Sequence, residues 1–216
     1  MKRIGSKYLF LAGCALAMMA GSSHAGSAET IIDAWRNVKA PQAPELKPVT
    51  LEASSTALLL LDFNRQVCNS EKRPRCIASI PAVKRLAERA RESKVQVIYS
   101  LTIGSTREDL PPALRAMDKE PSVTSGPDKF LGTDLENMLK QRGIKTVIVT
   151  GTAAHGAVLY TGSGAALRGL KVIIPVDGIS AEDLYPEQYT VWHMLNAPRI
   201  STQSTITRTD MINFTK

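Results

Sequence analysis

Histidine and cysteine are scarce: the 216-residue chain has three of each. They gather nowhere at ligand spacing, which excludes a structural zinc site, and nothing in the chain implies a cofactor. Aromatic residues make up 5% of the chain, and none is interleaved with its densest basic stretch, "KRPR" at Lys72–Arg75. With no recognition-helix pattern there either, that stretch reads as a solvated loop and nucleic acid is not an expected partner. No apolar run approaches the roughly 20 residues that span a bilayer, so no transmembrane helix is expected. The length leaves no room for a second full domain.

What is present begins with an export pattern. Residues 1–25 combine the basic "MKRIGSK", the apolar "YLFLAGCALAMMAG" and the small-x-small "SSHA", as a cleaved signal peptide does. Soluble export to the periplasm or outside the cell is expected. The alternative is a lipid anchor at Cys14, suggested by "LAGC". Loss of Lys2, Arg3 and Lys7 with the leader lowers the formal charge from +7 to +4. Beyond it remain Cys68 and Cys76, which in an oxidising compartment can close a small disulfide loop or stand as two independent thiols.

Residues 26–54, with "KAPQAPELKP", lack periodicity and read as an extended N-terminal arm; the domain proper is expected over 55–216. "TALLLLDF" (Thr56–Phe63) is a continuous apolar run ended by Asp62 and a polar turn, the pattern of a buried parallel strand. Apolar residues recurring from Ile80 to Ala90 predict an amphipathic helix over 80–93, with Pro81 in its first turn. "KVQVIYSL" (94–101), "KTVIVT" (145–150) and "KVIIPVDG" (171–178) are further strands, and "STITRTDMI" can add a last one. Helices fall between them: one opened by Thr133 or Asp134 and stopped at Gly143, one ending at Gly169, and one over 181–197. Strands alternating with helices define an α/β domain with a mostly parallel sheet. Ligands in such sheets bind beyond the carboxyl ends of the strands. Asp62, Thr150–His155 and Asp177–Ser180 each follow a strand and are expected to meet there.

Three motifs, "ALLLLDFNRQ" (57–66), "DKFLGTDLENMLKQRGIKTVIVTGTAAHGAVLYT" (128–161) and "ALRGLKVIIPVDGIS" (166–180), in this order and spacing, resemble the isochorismatase-like cysteine hydrolase superfamily, which includes nicotinamidase-like amidases and isochorismatases. The resemblance runs from Thr56 to Asp210 and implies a three-layer α/β/α domain, commonly oligomeric. It assigns Asp62 as the catalytic acid or base. It implies a cis-type peptide at Thr152–Ala153 and helix-opening amides at Ala157 that hold a developing oxyanion.

Two positions depart from the family pattern. Counted from "VTG", the nucleophilic cysteine is replaced by Ala157, preceded by Gly156, so a thioester cannot form there. Counted back from Phe130 and "GTDL", Thr124 stands where the family lysine is expected, with Lys129 a nearby substitute. The isochorismatase branch also lacks the cysteine and has a similar "A-H" step, here Ala154–His155, which makes His155 a candidate ligand contact alongside Thr152, Ala153, Gly156, Ala157 and Lys129. Asp177 could position the pocket loop through Ser180. The expected function is hydrolysis of a small polar substrate, a carboxylate or an amide, assisted by Asp62 without a cysteine. The alternatives are a binding or a structural protein on the same scaffold. The small residues of "GSGAALRG" read as a close-packing face, and Tyr185, Tyr189, Trp192 and His193 as a buried stripe or subunit interface.

Overall fold

The computed structural model describes residues 28–215; the expected leader, Cys14 included, lies outside them. The chain divides into a unit up to Ala40 and a compact unit from Pro41 onward. In the first, residues 31–37 form a run of turns that follows Thr30, whose hydroxyl and amide both donate to the Asp33 carboxylate.

In the second unit, β1 (Val49–Glu52) lies within the segment expected to be an extended arm, yet it pairs in parallel with β9 (Ile212–Thr215). The main elements follow as β2 (Thr56–Leu61), α1 (Pro74–Glu92), β3 (Gln96–Leu101), β4 (Ser122–Thr124), α2 (Leu135–Gln141), β5 (Thr146–Thr152), α3 (Leu159–Leu167), β6 (Lys171–Pro175), β7 (Ile179–Ser180), α4 (Leu184–Asn196) and β8 (Ser204–Thr207). The main sheet has the order β4-β3-β2-β5-β6-β8, every pairing parallel, with the short β7 added beside the end of β5.

The central strands are buried on both faces. Leu58 and Leu60 of β2 pack with Val83, Leu86, Ala87 and Ala90 of α1. Leu59 and Leu61 point the other way, into a core with Leu135 and Leu139 of α2, Ala165 and Ala166 of α3 and Met194 of α4. This is the expected three-layer α/β/α arrangement. Each fully buried leucine of β2 contributes about 1.5–3 kcal/mol of transfer free energy, so the strand that delivers Asp62 is among the most firmly held.

Helix α1 begins at Pro74, earlier than its periodicity predicts, and Pro81 lies inside it instead of in its first turn. Pro74, with its fixed φ, serves as the helix start, and the buried Cys76 extends the apolar face by a turn. The small residues of α3 are packing residues: a side chain at Gly162 would meet Met194 of α4 at 3.3 Å.

Candidate active site

At the carboxyl end of β2 the chain turns through Asp62, which takes a left-handed φ of 53°. Aspartate tolerates this region better than most residues. Its amide donates to the Ser100 carbonyl at 3.1 Å and to the Ser100 hydroxyl at 3.2 Å, anchoring the turn to β3. The following loop is pinned by Asn64, a fully buried residue whose side-chain amide donates to Thr102 at 2.9 Å and Ser105 at 3.0 Å. Its carbonyl accepts the amides of Val67 and Cys68. Cys68 in turn forms a disulfide with Cys76, joining this loop to the first turns of α1.

Asp62 is 5% exposed, and its carboxyl holds two side-chain hydrogen bonds. Ser100 Oγ donates to one oxygen at 2.7 Å, and Lys129 Nζ donates to the other at 2.7 Å. Lys129 is wholly buried, and its ammonium also donates to the Gly126 carbonyl at 2.9 Å. The expectation that Thr124 stands in the lysine's place is corrected by this geometry: Thr124 ends β4 exposed to solvent, and Lys129 reaches Asp62. The loop before Phe130 curls so that its carbonyls surround the ammonium, while Thr161 of α3 receives the Lys129 amide at 3.2 Å. Burial pushes the Asp62 carboxyl above the usual carboxylate range, opposed by Lys129, Ser100 and the more remote charge of Arg73.

The other wall comes from β5. Leu61 and Gly151 are register partners, which sets Asp62 and Thr152 side by side at neighbouring strand ends. Gly151 has φ of 130°, and a Cβ there would lie 2.0 Å from the Leu61 carbonyl oxygen, so only glycine permits this approach. The Thr152–Ala153 bond is cis. A wide turn over Ala154–Val158 then leads into α3, with Ala153 accepting the amide of Gly156 at 2.9 Å and Ala157 buried within it. Thr152 Oγ1 donates to the Ser180 carbonyl at 3.1 Å, tying β5 to β7.

Of the residues picked from sequence, Asp62, Lys129, Thr152, Ala153, Gly156 and Ala157 come together at this edge, and His155 sits exposed at its rim. Asp177 has a different task from the one expected: its carboxylate accepts the Thr209 amide at 2.8 Å and hydroxyl at 2.7 Å, fastening the end of β6 to the segment after β8. Ser100, Asn64 and Arg73 were not anticipated. The partners that tie them to this edge, Asp62, Thr102 and Glu182, are 38 or more residues away in sequence, and no local pattern marks them.

A groove of about 840 Å³ is lined by Pro41–Pro44, by Ile179 of β7 and by α4 residues including Leu184, Val191 and Trp192. Neither Asp62 nor Lys129 lines it. Tyr185, Tyr189 and Trp192 on α4 are exposed, not a buried stripe. Among the described residues no group of histidine, cysteine, aspartate and glutamate is placed to hold a metal ion. No helix among them is long and apolar enough to cross a membrane.

A doubly wound parallel sheet places a ligand site beyond the carboxyl ends of its strands, where Asp62 and the helix-opening turn stand. Residues 56–207 match the Isochorismatase domain model, and the chain belongs to the isochorismatase family. A secreted isochorismatase effector of Verticillium dahliae is 24% identical over 149 residues, covering 63% of this chain and 78% of that protein. Among solved structures, an isochorismatase family protein from Burkholderia thailandensis superposes with a TM-score of 0.65 at 19% identity, covering 77% of this chain and 97% of its own. A cysteine hydrolase from Pseudomonas syringae pv. phaseolicola does so with a TM-score of 0.67 at 18% identity, covering 78% and 95%.

Proposed function

We propose that the protein hydrolyses a small polar substrate, a carboxylate or an amide, with Asp62 as the proton-transferring group and no covalent cysteine intermediate. The observation that carries this reading is the buried contact of Asp62 with Lys129 and Ser100 beside the Thr152–Ala153 turn. In its protonated form, favoured by burial, Asp62 donates to the leaving group while water adds to the electrophilic carbon. The carboxylate left behind is stabilised by the ammonium of Lys129 and the hydroxyl of Ser100. Helix-opening amides of the 153–157 turn would hold negative charge developing on the substrate oxygen.

A thiolate route has no support at this edge. Ala157 occupies the buried position that the family resemblance gives to the cysteine, and Cys68 and Cys76, the described cysteines, are joined to one another. Export to an oxidising compartment is supported by that disulfide, by the basic and apolar leader pattern, and by a relative named as secreted. The exposed aromatic side chains of α4 support a homo-oligomer, which light scattering on the purified protein tests.

Purified protein should turn over at least one member of a panel of amides, esters and isochorismate, and Asp62→Ala should abolish that turnover. Saturable binding without turnover across the panel would favour a binding protein instead.

A further inference from the structure

One ion pair links the two segments that flank the site. Arg73 stands at the start of α1, inside the loop closed by the Cys68–Cys76 disulfide, with its amide donating to the Asn69 carbonyl at 2.9 Å. Its Nε and Nη2 both reach the same oxygen of Glu182, at 2.7 and 2.6 Å. Glu182 follows β7, where Ser180 is the register partner of Thr152. The pair therefore joins the disulfide-braced loop that follows Asp62 to the segment beside the Thr152–Ala153 turn. Arg73 is close enough for its charge to favour the ionised form of Asp62. Burial raises the Glu182 carboxyl, but its own backbone amide, Arg73 and His155 together hold it below the usual range, which places His155 near the same pair.

The neighbouring pair shows what a bracing contact looks like here. Arg75 meets Glu187 through two parallel hydrogen bonds, both 2.7 Å and on different oxygens, and Glu187 also accepts the Ala181 amide at 3.0 Å. Arg73 instead puts two donors on one oxygen of a carboxylate whose side chain is 46% exposed, while the Arg73 side chain is 19% exposed. A planar guanidinium, more enclosed than its partner, is suited to exchange that partner for another carboxylate. The segment before Glu182 also holds an unfilled polar atom. The Ser180 hydroxyl, 1% exposed and next to Thr152 in register, has no hydrogen-bond partner, and a buried orphan hydroxyl is costly unless something completes it.

We propose that Arg73 selects small carboxylates for this site: Glu182 occupies its guanidinium in the free protein and yields it to the carboxylate of the ligand, whose far end then lies toward Asp62. The substrate class is thereby narrowed to small organic acids. This rests on reading the Asp62 edge as the ligand site.

Benzoate and its neutral counterpart benzamide are suitable probes, measured by calorimetry or NMR titration on the whole purified protein. Wild-type protein should bind benzoate at least about tenfold more tightly than benzamide, because charge-assisted hydrogen bonds to a guanidinium are strong. Arg73→Gln should abolish that preference and leave benzamide binding unchanged, and Arg73→Lys should retain part of it. Glu182→Gln, at an exposed position, should tighten benzoate binding by removing the internal competitor. An unchanged preference in Arg73→Gln, weaker benzoate binding in Glu182→Gln, or no benzoate binding by wild-type protein would each overturn the assignment. Asp62→Asn should abolish turnover without reducing the benzoate preference. Turnover persisting in that variant overturns the hydrolytic reading and leaves the role of Arg73 intact.

Discussion

Lys129 Nζ lies 2.7 Å from Asp62 Oδ2, with both side chains almost entirely out of solvent. In the folded protein neither charge has much water to fall back on. Removing one partner leaves the other buried and uncompensated, at a cost of about 3–5 kcal/mol. Lys129→Met should therefore lower unfolding stability by roughly that amount, and Asp62→Asn/Lys129→Met should be more stable than Lys129→Met alone. Urea unfolding at pH 7 checks both. A single variant as stable as wild type would show that the pair is not buried as described.

Burial raises the Asp62 carboxyl, so between its ordinary and raised pKa the folded protein holds a proton that the unfolded chain has released. The stability this proton confers is complete below the ordinary carboxylate pKa and declines as pH rises through that window. Activity that needs the protonated acid follows the same direction, falling as pH rises past the raised value. Ser100 donates to the carboxylate, so Ser100→Ala should raise the pKa further and move the alkaline limb of kcat/KM to higher pH. A limb that stays in place or moves down contradicts this.

The central strands β2, β3, β5 and β6 were legible because buried parallel strands are continuous apolar runs that end abruptly in polar turns, whereas the short β1, β4 and β7 carry no such run. Lys129 was harder to place. Counting residues back from Phe130 assumes that a loop keeps an even rise, whereas the chain between Ser125 and Lys129 doubles back so that its own carbonyls meet the ammonium. Arg73 read as part of a solvated basic run because Glu182 is 109 residues distant in sequence. The two glycine-flanked halves of Gly151–Gly169 also separate cleanly: Gly151 answers to the site, Gly162 to packing against α4.

Gly151→Ala should be among the most damaging single-methyl changes in the protein. The added carbon meets backbone at 2.0 Å and the φ of 130° is hostile to any L side chain. A loss of at least about 2 kcal/mol in thermal or urea unfolding is expected, along with loss of turnover. Wild-type stability in this variant would contradict the close approach of β5 to β2.

The Cys68–Cys76 bridge closes a short loop, so its removal in Cys68→Ser/Cys76→Ser should reduce stability by about 2–3 kcal/mol. Because the same loop carries Arg73, reduction with dithiothreitol should also weaken binding of a carboxylate ligand more than that of its neutral amide. Thiol titration of the denatured mature protein before and after reduction measures the bridge directly.

The most direct measurement is turnover of the best panel substrate by wild-type protein and by Asp62→Asn, each with and without prior treatment with iodoacetamide. Wild-type turnover should be indifferent to the alkylating agent, and Asp62→Asn should lose about 100-fold or more, as removal of a general acid does. Turnover that survives Asp62→Asn, or that iodoacetamide abolishes in the wild type, would contradict acid-assisted hydrolysis without a cysteine.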